Sequence, residues 1–100
     1  MTTTFLGIGT NIGSRSDNMQ AALGRLSAQV YITSVSPVYE TQPMYVYDQP
    51  SFLNMAVRGD TDLTPYQLLA FTKGIERKLG RKPSTRFGPR LIDIDILLYG

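Results

Sequence analysis

The 100-residue sequence has no cysteine and no histidine. Without thiols there is no disulfide to staple the fold and no thiolate nucleophile, and without imidazole there is no Ser–His or Cys–His pair and no nitrogen ligand for zinc. Hard oxygen chemistry remains. No apolar run approaches the ~20 residues that span a bilayer, so membrane insertion is excluded. Met1-Thr2-Thr3-Thr4-Phe5 lacks the basic stretch and apolar segment of a secretory signal, and the expected setting is cytoplasmic. Internal repeats, low-complexity tracts and interdomain linkers are also missing. One hundred residues therefore read as one domain, residues 1–100, because two halves would each bury too little surface to offset their chain entropy.

The formal charge of +2 is too small to argue for a nucleic-acid partner, but its distribution is uneven: Lys73 to Arg90 carries seven cations and one acid, Glu76. Such a segment favours an anion nearby. Patterning places the elements around it. Thr4 to Gly9 reads as a strand breaking into a turn at Thr10-Asn11-Ile12-Gly13-Ser14. Met19, Ala22, Leu23 and Leu26 recur at helical spacing after Ser16 or Asp17 as possible caps, with an end near Gln29. Val30–Tyr39 and Phe52–Arg58 read as two further strands. Thr64 caps a second helix with Pro65 at its first position, an apolar stripe of Leu68, Leu69, Thr72, Ile75 and Leu79, and a stop at Gly80. Leu91–Tyr99 is the last strand, with Ile92, Ile94, Ile96 and Leu98 on one face and Asp93 and Asp95 on the other. The order βαββαβ predicts an α+β, ferredoxin-like fold: a four-stranded antiparallel-type sheet, first and third strands central, with two helices on one face.

The other face is left for function. If Leu6 and Ile8 face the helices, Gly7 and Gly9 form a shallow trough on the open side, banked by Asp93 and Asp95. If Leu53, Met55 and Val57 face the core, Phe52 and Asn54 form the opposite bank, two strand spacings or ~10 Å away. Asp93-Ile94-Asp95 puts two carboxylates ~7 Å apart on one face. Either they are an exposed pair neutralised by arginines, or they hold magnesium, which takes few protein carboxylates and completes its octahedron with water and phosphate oxygens. Taken alone, the Gly- and Pro-rich segment 80–90 reads as a solvated charged loop; beside the acidic pair, Arg81, Arg86 and Arg90, placed to fork onto phosphate, favour the metal. Gly7 to Gly13 has the spacing Gly-x-Gly-x-x-x-Gly, which rejects a dinucleotide fingerprint, and no Gly-Lys-Ser/Thr is present for a P-loop. Asn11 and Ser14 can contact a ligand, but stabilisation of the turn is the commoner role for such residues. Phe52 and the tyrosines at 39, 45, 47 and 99 can stack on a base or fill the core.

Five stretches carry a resemblance along nearly the whole chain: Leu6–Gly13, Val38–Pro43, Asp48–Asn54, Ile75–Arg81 and Arg86–Asp95. In order and content they resemble the hydroxymethyl-dihydropterin pyrophosphokinases of folate biosynthesis. The resemblance implies transfer of the β,γ-diphosphate of ATP to the hydroxymethyl oxygen of a reduced pterin, with release of AMP. It implies two Mg2+ ions with Asp93 and Asp95 as ligands, and Arg81, Arg90 and Asp95 as the catalytic set. Glu76, Arg81, Arg86 and Arg90 fall at ATP. Thr41, Pro43, Met44, Phe52 and Asn54 fall at the pterin, Phe52 by stacking and Asn54 by hydrogen bonds to the ring edge. Phe87 stands where the family often has tryptophan. No catalytic histidine is needed, since such a transfer rests on positioning and charge neutralisation; the general base is not chosen by the sequence.

Members of that family continue beyond the position matching Gly100, so the expectation is a core lacking a C-terminal segment, with apolar surface left open and self-association through it. A single monomer peak in light scattering at high concentration would count against the self-association. Two other functions compete with the enzyme. One is a catalytically incomplete fragment with residual Mg-ATP binding, shown by magnesium-dependent ATP binding without turnover. The other is a non-catalytic ferredoxin-like module for RNA or a small effector, shown by salt-dependent RNA binding without magnesium. Against RNA, the Lys/Arg-Gly-Phe/Tyr-Gly/Ala-Phe signature is absent, and the two aspartates repel a phosphate backbone. Neither nucleic acid nor membrane is an expected partner.

Overall fold

The computed structural model describes residues 1–42, 51–80 and 91–100. Its elements are β1 (Thr2–Thr10), α1 (Arg15–Leu26), β2 (Val30–Val35), β3 (Tyr39–Thr41), β4 (Phe52–Thr61), α2 (Pro65–Lys78) and β5 (Asp93–Tyr99). All strand pairs are antiparallel, in the order β2-β4-β1-β5, and β3 also pairs β4. This is the ferredoxin-like arrangement, with β1 and β4 central as the pattern predicts. The five strands fill four positions, because β2 pairs the Val57–Thr61 half of β4 while β3 pairs Phe52–Asn54.

The single strand expected over Val30–Tyr39 is thus two. Pro37 has no N–H to give a ladder, and Ser36 spans the break. Its N–H donates to the Ala56 carbonyl and its hydroxyl accepts from the Ala56 N–H, both at 2.8 Å. β4 in turn runs three residues past the expected end at Arg58, through Gly59 to Thr61.

Alternation sorts each central strand into two faces. Thr4, Leu6, Ile8 and Thr10 of β1 and Met55, Val57, Gly59 and Thr61 of β4 are buried on the helix side. They meet Met19, Ala22 and Leu26 of α1, Leu68 and Ile75 of α2, and Ile92 and Ile94 in one core. Each fully buried Leu or Ile there contributes about 1.5–3 kcal/mol from the apolar surface it removes from water.

Leu98 departs from its expected face. The register of β5 against β1 slips between Phe5 and Leu6, leaving Leu97 opposite no residue, so Leu98 is turned outward and is 63% exposed. Tyr99 takes the inner position, donating its hydroxyl to the Leu63 carbonyl at 2.6 Å. Thr4 fixes the irregularity from below by donating to the Leu98 carbonyl at 2.7 Å.

Both helices follow their patterns with local differences. α1 starts just after Ser14 and stops at Leu26, earlier at both ends than Ser16 or Asp17 and Gln29; the Ser14 hydroxyl makes no bond to the helix backbone N–H groups and donates instead to the Asp17 carboxylate at 2.8 Å. α2 has the expected cap as a full capping box, Thr64 with Gln67, and Pro65 at its first turn. Its buried residues are Leu68, Thr72, Ile75 and Glu76, while Leu69 lies off the stripe at 47% exposure. Gly80, at φ +93°, follows its end. Among the described residues no helix is long and apolar enough to cross a membrane.

Candidate functional site

The open face of the sheet carries the candidate site. Strand register sets its rows: Asp93 stands beside Gly9, which stands beside Asn54, and Asp95 stands beside Gly7, which stands beside Ala56. Two glycines and an alanine thus form a floor with almost no side chain. The carboxylates rise on one bank, and Asn54 and Phe52 on the other. The floor is tight at one point. A methyl group at Gly9 would lie 3.2 Å from Asn54 Oδ1 and 3.6 Å from Phe52 Cδ1, whereas one at Gly7 would meet Leu97 no closer than 3.6 Å. Gly9 is therefore a place where the Phe52/Asn54 bank leans over the floor.

That bank is pre-set by β3. Thr41 pairs Phe52 and Tyr39 pairs Asn54 in register, and the Asn54 amide donates to the Thr41 hydroxyl at 2.7 Å. Three of the residues expected at the pterin, Thr41, Phe52 and Asn54, are in this way brought together. On the other bank, β5 is tied to β1 just before the acidic pair, where the Thr10 hydroxyl donates to the Leu91 carbonyl. Asp95 is exposed and Asp93 half-buried.

Among the described residues no group of three or more acidic, histidine or cysteine side chains could enclose a metal. Two carboxylates at i and i+2 of one strand nevertheless fit magnesium, a hard ion that uses one or two carboxylates and takes its remaining oxygens from water and phosphate. Glu76, expected at ATP, is 1% exposed. Its carboxylate accepts the Ile94 N–H at 2.8 Å and lies 3.3 Å from the Lys73 ammonium. Pro43, Met44, Arg81, Arg86 and Arg90 lie outside the described residues, as do Phe87, Tyr45 and Tyr47.

Arg15 has a place that sequence reasoning missed. Its guanidinium donates to the Ser51 carbonyl at 2.8 Å and to the Glu40 carboxylate at 3.2 Å, joining the start of α1 to β3 and to the entry of β4. With Asn11, Ile12 and Gly13 these residues line an open cavity of about 350 Å³ just past the Gly9 end of β1. A single cation at a helix start carries no signal for such a clasp. The opposite end of the open face is apolar, with Phe5 beside Leu98 in register and both exposed along with Leu97.

Comparison with known proteins identifies the family. Residues 5–100 match the family model described as 7,8-dihydro-6-hydroxymethylpterin-pyrophosphokinase (HPPK). A folate synthesis bifunctional protein of Pisum sativum is 49% identical over 95% of the chain, which spans 19% of that relative. A 2-amino-4-hydroxy-6-hydroxymethyldihydropteridine pyrophosphokinase of Bacillus subtilis is 45% identical over 95% of the chain, and one of Aquifex aeolicus 40% over 99%. The chain spans 58% and 62% of those two relatives. With its fold, its glycine-floored open face and this match over nearly its whole length, the chain belongs to the 7,8-dihydro-6-hydroxymethylpterin-pyrophosphokinase family.

Proposed function

We propose that the open face transfers the diphosphate of ATP to the hydroxymethyl oxygen of 6-hydroxymethyl-7,8-dihydropterin, releasing AMP. The observation that carries the proposal is the pairing of two unlike banks across one floor: hard carboxylates at Asp93 and Asp95, and an aromatic ring and an amide at Phe52 and Asn54. A flat heterocycle lies against the second bank, where Phe52 stacks on the ring and Asn54, held by Thr41, reads its edge. Asp93 and Asp95 would hold magnesium against the triphosphate. When bound, that ion supplies positive charge to the phosphate oxygens during the transfer.

In the reaction the hydroxymethyl oxygen attacks the β-phosphorus, the bond from that phosphorus to the oxygen of AMP breaks, and the hydroxyl proton passes to a base. The work of the chain is to hold donor and acceptor in line, which for phosphoryl-type transfer supplies most of the catalysis. Arg81, Arg86, Arg90, Pro43 and Met44 join the proposal on sequence grounds. A cytoplasmic setting belongs to the proposal as well.

The test is the nucleotide product of this chain with ATP and magnesium, with and without the pterin. Pterin-dependent AMP is expected. ADP as product, or the same nucleotide turnover without pterin, would contradict it.

A second expectation follows from the floor. Gly9→Ala should weaken pterin binding about tenfold, because its methyl group pushes Asn54 off its Thr41 partner and costs about one hydrogen bond, while Gly7→Ala has a much smaller effect. Equal pterin affinities in the two variants, measured by the quenching of pterin fluorescence, would show that the pterin lies elsewhere.

A further inference from the structure

Glu76 is the buried charged residue among the described ones, and the proposed transfer gives it no direct part. Glutamate is almost never fully buried unless paired. On α2 it follows Ile75 in the helix-side stripe, where an apolar side chain would pack without desolvating a charge. Its surroundings explain its retention. One carboxylate oxygen, Oε2, accepts the Ile94 N–H at 2.8 Å, a buried contact between residues 18 apart in the chain. The Lys73 ammonium, one turn earlier on the same helix, lies 3.3 Å from Oε1 and 3.4 Å from Oε2.

Ile94 is the residue between the two aspartates. Its N–H belongs to the peptide that begins at Asp93, and its own carbonyl begins the peptide to Asp95. Its side chain is 1% exposed in the core, so both neighbours project from the open face. Among the described residues β5 is also an edge strand, with β1 as its one strand partner. A strand held from one side only can shift. We propose that Glu76 is a positioning residue for the acidic pair: its buried carboxylate grips the Ile94 peptide and so sets the two backbone positions from which Asp93 and Asp95 reach the metal.

The inference rests on the reading of Asp93 and Asp95 as magnesium ligands. Magnesium is demanding here, because its short, near-octahedral oxygen shell tolerates little displacement of a ligand's backbone. Contacts behind metal ligands commonly govern affinity for that reason.

The test compares Glu76→Leu with Glu76→Gln. Two quantities are read: hydrogen exchange of the Ile94 amide, and the magnesium concentration that half-saturates ATP binding in titration calorimetry. Glu76→Leu, which removes the acceptor, should speed Ile94 exchange and raise the magnesium requirement by about tenfold or more. Glu76→Gln, which keeps an acceptor oxygen, should hold both within about threefold of the parent chain.

A purely structural role would lower the melting temperature without moving the magnesium requirement, and that result would overturn the proposal. So would a glutamine variant that loses magnesium dependence while its Ile94 amide stays protected, since the carboxylate would then act by charge or by direct contact. If the leucine variant does not fold, the glutamine variant decides between these outcomes. Asp95→Asn is the control. Should it abolish magnesium-dependent binding while Glu76→Leu does not shift it, positioning fails and the metal reading stands; should neither variant have an effect, the metal reading fails as well.

Discussion

Asp95→Asn is expected to leave the fold intact and to weaken magnesium-dependent ATP binding by about a hundredfold or more. The side chain is exposed on the open face of an edge strand. Its replacement by a neutral residue of the same size therefore removes no packing, and surface changes of this kind stay within about 0.5 kcal/mol of the parent stability. The loss at the ligand is of another order. One of the two carboxylates on this bank disappears, and an amide oxygen carries no charge to hold a divalent ion beside a triphosphate. The check is a pair of calorimetric ATP titrations, with magnesium and with chelator, beside a thermal melt. Unchanged nucleotide affinity with an unchanged melt would remove Asp95 from the metal site.

The largest expected effect on stability is at Gly59, away from the site. Its Cα faces the core where β2 crosses beside β4, and an added methyl group would lie 2.5 Å from Val30 Cγ1 and 2.9 Å from the Tyr31 carbonyl oxygen. Neither neighbour can yield cheaply. Val30 is 1% exposed with a stiff, branched side chain, and the second contact is backbone. The register of β2 against β4 is also irregular next to this point, between Ile32 and Ser34, so a shift there would spread along the edge strand.

Gly59→Ala should accordingly cost about 2–3 kcal/mol, near the upper end for overpacking. For a domain of this size that lowers the melting temperature by roughly 10 °C or more. Gly24, on α1 with nothing within 4 Å of an added methyl group, supplies the contrast: Gly24→Ala should stabilise slightly through helix propensity. Circular dichroism melts of the two variants give the comparison. Equal melting temperatures would mean that the close approach at Gly59 is not a constraint on the fold.

Much of the site was legible because it depends on a period of two. Leu6 and Ile8, Met55 and Val57, and Ile92 and Ile94 each mark the buried face of a strand, and together they assign Gly7, Gly9, Asn54, Asp93 and Asp95 to the other face. Where the sequence misleads, a long-range contact sets the outcome. Leu98 continues the alternation on paper, but the slip of β5 against β1 turns it outward, and that slip depends on residues more than ninety positions away. The strand expected to stop at Arg58 continues to Thr61, and Gly59 within it lets β2 approach closely.

Glu76 is placed at ATP by the family resemblance alone, and the sequence gives no sign of its burial. Only the packing of α2 on β5 shows that its carboxylate faces a peptide. Arg15 shows the same limit, since its partners Glu40 and Ser51 are 25 and 36 residues distant.

The most direct test of the claim that ligands meet on the open face is to replace magnesium with Mn2+ in the presence of ATP and to map the paramagnetic broadening of backbone amide resonances. The account predicts strongest broadening at Asp93, Ile94 and Asp95, next at Gly7 and Gly9 on the neighbouring strand, and little in the outer turns of α1 around Gly24. Broadening centred on the Arg15–Glu40 cavity or on the helices, with the acidic pair unaffected, would contradict it.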